Sequence, residues 1–192
     1  MRSTTLITAV ALGLALAACG KKNEEAVNTT TTEINATSMS NESSMGAAAA
    51  ALPAQQFADT IVGSDMFEIQ SGKLAEAMGS TPAVKDFGKM LVTDHTKSST
   101  MFKAAAKKTS PVVSLPMILP ADLKSKIDAL KAAKGADFDK LFVSQQTEGH
   151  QKALDALKAY SSGGDQASLK EFATTATPVV QGHLTKLEAM PK

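Results

Sequence analysis

The sequence predicts an all-α protein: an antiparallel four-helix bundle with a short extra helix in its central crossover. Three observations carry this. Period-two alternation of apolar residues is missing throughout, so no segment reads as a strand. Alanine, lysine and leucine are abundant while aromatics are scarce, with no Trp and one Tyr, a composition that favours helix. Gly/Pro/Ser punctuation then cuts the chain from Pro53 onward into four long segments and one short one.

The first helix is expected from about Ala54 to Ala77, where Gly79-Ser80-Thr81-Pro82 breaks it. Thr81 is placed as the N-cap of the second, with Pro82 at its first position, where a missing N–H does no harm. The second runs to about Lys108, its terminal lysines complementing the helix dipole. Three prolines in "SPVVSLPMILP", 110–120, require an extended connection. A short helix from about Ala121 to Ala133 ends at Gly135. The third long helix starts near Asp137 and stops before Ser161-Ser162-Gly163-Gly164, and Asp165 is placed as the cap of a fourth reaching about Met190. Pro178 falls inside that helix and is expected to kink it. Helices of about 25 residues are roughly 37 Å long, a length that suits a four-helix bundle.

Ahead of the helices the chain changes character. Arg2 and the apolar run "LITAVALGLAL", 6–16, read as a targeting segment, 1–18, too short to span a bilayer. "LAAC", 16–19, resembles the bacterial lipoprotein lipobox. The resemblance implies cleavage before Cys19, the sole cysteine, and acylation of it, giving membrane attachment through buried acyl chains. Gly20 in place of Asp then implies the outer membrane, with the protein facing the periplasm. Residues 19–52, rich in Asn, Thr, Ser and Ala, read as a tether without apolar periodicity, and 53–192 as the folded domain. Charge is balanced, 20 Lys+Arg against 19 Asp+Glu, and no basic cluster offers a nucleic-acid footprint. No phosphate loop, nucleophile elbow or Cys/His zinc motif is present.

Helical projection, at about 100° per residue, assigns each long helix an apolar face. Val84, Gly88, Leu91 and Phe102 share one with His95. Leu169, Ala176, Val180 and Leu187 share one with His183. Phe138, Phe142, Ala153 and Leu157 define a third, with His150 toward its edge beside Gln146. Phe57, Ile61, Gly72 and Ala75 define the fourth, with Glu68 at its centre. Each helix thus turns one ionisable group inward: Glu68, His95, His150, His183. A buried carboxylate is costly unless paired or bound. One carboxylate and three imidazoles suit a single Fe, Mn or Zn ion. A di-iron carboxylate site is excluded, since Val92, Thr147 and Val180 stand where Glu-x-x-His pairs would need Glu. The alternative is a structural polar network in which Glu68 pairs with one protonated histidine. Asp94 is read as a solvated charge outside the core.

"VKDFGKMLVTDHTK", 84–97, and "LKEFATTATPVVQGHLTK", 169–186, form a weak internal repeat of the kind ferritin-like bundles are built on, though Ala/Lys/Leu helices also resemble one another by chance. With "FEIQSGKLA" (67–75) and "FDKLFVSQQTEGHQKAL" (138–154), these stretches resemble the bacterial envelope family catalogued as domain of unknown function 4142, over about 54–190. Gly88 and Phe142 stand where that family usually has Ala and Tyr. The resemblance implies a ferritin-like bundle in the envelope and assigns no activity. Three functions follow as expectations: a lipid-anchored envelope bundle of uncharacterised activity, a mononuclear metal-binding or redox protein, and a module that docks another envelope protein.

Overall fold

The structure, a computed structural model, describes residues 50–190. Cys19, the targeting segment and all but the end of the tether lie outside them. Among the described residues there are five helices and no strand: α1 (Ala54–Met78), α2 (Pro82–Ala106), α3 (Ala121–Ala132), α4 (Gly135–Gly163) and α5 (Ala167–Glu188). α1 packs chiefly on α2, and α4 on α5; the two pairs meet through α1 with α4 and α2 with α5, and α3 lies against α1 and α4. No described helix is long and apolar enough to cross a membrane.

The turn between α1 and α2 is short and firmly held. Thr81 Oγ1 accepts the Val84 N–H at 3.4 Å, and Pro82 opens the helix, as the sequence predicts. Asp139, in the first turns of α4, takes the backbone N–H and hydroxyl of both Ser80 and Thr81 at 2.7–3.1 Å. This carboxylate ties one helix pair to the start of the other. Its burial opposes ionisation, and the donated bonds overcome that, so its pKa lies below the ordinary value.

Three boundaries differ from the sequence reading. Gly135 does not end α3; it opens α4 with a φ of +55°, a left-handed conformation that a residue without Cβ adopts freely. Asp165 does not cap α5. Gln166 occupies that position, and Asp165 Oδ1 instead accepts the Tyr160 hydroxyl at 2.6 Å. α4 runs on to Gly163 instead of stopping before Ser161. α5 holds Pro178 within it, as the sequence reading placed it.

α1 and α2 approach at Gly72 and Gly88. A Cβ on Gly88 would lie 2.6 Å from the Gly72 carbonyl oxygen, and one on Gly72 2.7 Å from that of Gly88. Neither position has room for alanine without backbone movement, which explains why this chain keeps glycine at 88.

The apolar core is divided. One cluster gathers Phe57, Ile61, Phe102, Leu157, Tyr160 and Phe172, with Phe57 and Tyr160 stacked at 3.9 Å. The other gathers Phe67, Val84, Phe87, Phe138, Phe142 and Leu187. Emptying such a site, as in Phe102→Ala, costs about 3–5 kcal/mol. Along every long helix the buried polar residues fall where one cluster gives way to the other: Asp65 and Glu68 on α1, His95 on α2, Gln146 and His150 on α4, His183 on α5. The helices therefore share one polar layer between two oily ones.

Candidate metal centre

Helical spacing delivers the layer. On α1, Phe57, Ile61, Asp65, Glu68, Gly72 and Ala75 recur at steps of three and four and are all buried. His95, His150 and His183 are 7%, 2% and 3% exposed, so all three point inward, including His150, which projection puts at an edge. Their ring centroids lie 5.1–5.7 Å apart. Each ring can offer one nitrogen to a group whose members all fall within 4.8 Å of one another. Phe87 closes the layer from the second cluster, 6.3 Å from His150 and 6.0 Å from His183.

The hydrogen bonds decide which nitrogens are free. His95 Nδ1 lies 2.8 Å from Asp65 Oδ1, and Asp65 Oδ2 also accepts the Ser99 hydroxyl. His150 Nδ1 lies 2.9 Å from the Gln146 carbonyl oxygen. His183 Nε2 lies 3.0 Å from Asp94 Oδ2. Carbonyl and carboxylate oxygens only accept, so each of these three nitrogens carries the ring's proton. In the neutral rings that leaves lone pairs on His95 Nε2, His150 Nε2 and His183 Nδ1. The last two face each other at 3.0 Å, and His95 Nε2 is buried with no hydrogen-bond partner. Two neutral rings cannot supply three N–H groups to three contacts. The pair must gain a proton or share a cation. Burial, reinforced by the neighbouring His95 and His183 charges, pushes His150 down to about 3. Burial lowers His183 as well, against its bond to the Asp94 carboxylate. An added proton is thus disfavoured where a cation would fit.

His95 behaves oppositely. Burial alone would lower it, but the Asp65 bond and the charges of Glu68, Asp65 and Asp94 raise it. Glu68 stands outside the three-nitrogen group. Its Oε1 lies 3.7 Å from His150 Nδ1, a nitrogen already committed to Gln146, and its Oε2 has no partner among the described residues. Burial lifts its pKa to about 7, although His95 and Gln146 pull the other way. Since His150 is neutral, the 3.7 Å approach is not an ion pair. The layer is completed by Gln146 Nε2, which donates to Ser71 Oγ at 2.9 Å.

Two carboxylates escape the sequence reading. Asp94 is not a free surface charge: its side chain is 36% exposed and fixes His183. Asp65 is 2% exposed and fixes His95. Its place four residues after Ile61 and seven before Gly72 was the available signal.

The family model for the domain of unknown function DUF4142 matches residues 24–190. The chain belongs to that family. No curated protein and no solved structure matches it. DUF4142 membership names no chemistry, so the layer itself has to supply the functional argument.

Proposed function

We propose that this DUF4142 protein binds one divalent metal ion through His95 Nε2, His150 Nε2 and His183 Nδ1, with zinc as the best fit and iron(II) next. The observation that carries the reading is the pair of lone pairs facing at 3.0 Å, beside a third buried nitrogen without a partner. Tetrahedral zinc at about 2.0–2.1 Å from each nitrogen needs ligand atoms about 3.3 Å apart. The pair, at 3.0 Å, needs to open slightly, and the wider group, within 4.8 Å, needs to close around the ion. Every ring also has its other nitrogen held by an acceptor (Asp65, the Gln146 carbonyl, Asp94), the arrangement that orients imidazole ligands and raises their basicity. Manganese, which prefers oxygen donors, fits an all-nitrogen set least. Glu68 then serves as a buried charge behind His150, not as a ligand.

The rest of the reading is a ferritin-like four-helix bundle, with α3 in its central crossover, carried on an acylated Cys19 and facing the periplasm from the outer membrane. The pairing of α1 with α2 and α4 with α5 supports the bundle, and the lipobox-like "LAAC" supports the anchor. Elemental analysis of untagged protein tests the metal. About one zinc or iron per chain is expected, lost in both His95→Ala and His183→Ala. A metal-free chain whose melting is unmoved by added zinc would refute it. Cys19→Ser should release the protein from membranes.

A further inference from the structure

A cavity of about 180 Å³ opens between α2 and α5, and His95 and His183 form part of its wall. The remainder is mostly apolar, with Met101, Phe172, Ala176 and Val180 contributing, while Lys97 and Asp94 bring charge. Asp94 accepts the His183 Nε2–H at 3.0 Å and keeps its negative charge, which the Lys97 ammonium on the same wall balances. An apolar cavity of roughly 150 Å³ is enough for benzene. A zinc ion held by three protein ligands keeps a fourth position for water or substrate.

We propose that this cavity admits a small, mostly apolar molecule of single-ring size whose one anionic head takes the open position on the ion. The inference rests on the metal reading and adds its consequence: the centre is a ligand-binding site, not a structural staple. Three features of the wall argue for this occupant. Two of the three candidate ligands, His95 and His183, belong to the cavity wall, so the cavity lies against the proposed centre. The apolar walls exclude a strongly hydrated guest. With Lys97 offsetting Asp94 on the wall, the positive charge of the ion itself favours a carboxylate or phenolate over an ammonium.

Benzoate, with benzylamine as its cationic counterpart, is the probe. Calorimetric titration of the full chain, with zinc content measured on the same sample, reads both claims. Benzoate is expected to bind the zinc-loaded chain at least about tenfold more tightly than the zinc-free chain, and benzylamine not at all. Ala176→Phe, which fills the cavity, should weaken benzoate about tenfold while keeping one zinc per chain and the wild-type helical signal. Lys97→Gln should weaken it several-fold. One zinc per chain with no benzoate binding, or benzoate binding that ignores both zinc and Ala176→Phe, overturns this inference and leaves the metal reading standing. Preferred binding of benzylamine overturns the anionic head. A chain that takes up no zinc sinks both.

Discussion

Glu68→Gln in the metal-free protein is the perturbation whose sign is least intuitive, because removing a charged residue from the core should stabilise. Glu68 is 1% exposed, and its folded pKa of about 7 lies above the ordinary 4.5. Below pH 4.5 both folded and unfolded chains hold the proton, and the residue has no pH-dependent effect. Between 4.5 and 7 the unfolded chain ionises while the folded one stays protonated, so stability is lost as pH rises. At about 1.36 kcal/mol per pH unit, the span from 4.5 to about 7 amounts to about 3 kcal/mol, fully lost above pH 7. Glutamine keeps the shape and never ionises. The variant should therefore match the wild type near pH 4 and gain about 3 kcal/mol at pH 8, or about 6–12 °C in melting temperature for a domain of this size. Chelator-treated samples melted in parallel from pH 4 to 8 give the difference; His150, which titrates in the opposite sense, cancels between them, whereas His95 loses the support of the Glu68 charge in the variant and offsets part of the gain. A difference that stays constant with pH, or a variant less stable at pH 8, would refute the reasoning. Zinc should shrink the gain, because an ion beside the carboxylate makes its charge useful.

Zinc affinity should rise with pH through and above 6.5, since burial fails to neutralise His95 against Asp65 and Glu68 and the ion must displace that proton; calorimetry in two buffers would show the proton released. Gly88→Ala should cost about 1–3 kcal/mol, because its Cβ meets the Gly72 carbonyl at 2.6 Å, and chemical denaturation measures this. Asp139→Asn should cost about 1 kcal/mol at pH 7 by weakening the bonds to Ser80 and Thr81, with the difference vanishing in acid, where the wild-type carboxyl is also protonated.

The helices were legible because glycine, proline and apolar spacing act locally. Thr81 and Pro82 mark a helix start whatever the rest of the chain does. Gly135 was misread because a glycine between two helices serves either neighbour, and only its φ of +55° assigns it. The three histidines were legible as inward-facing from the 3.6-residue period. Their orienting partners were not. Asp94 sits at the edge of its own helix's apolar stripe, and only α5 packing alongside turns that edge into a bond with His183. Tautomers are less visible still. They follow from which oxygen each ring meets across the bundle, and no single-helix projection contains that.

The contact of Gly72 with Gly88 has a mechanical consequence. Two backbones touching with no side chains between them have nothing to compress, so α1 and α2 move as one stiff plank, carrying Asp65 and His95 together. The cavity beside the histidines lies on the other side of α2, where α5 meets this plank. There side chains, joined by the Asp94–His183 bond, stand between the two helices.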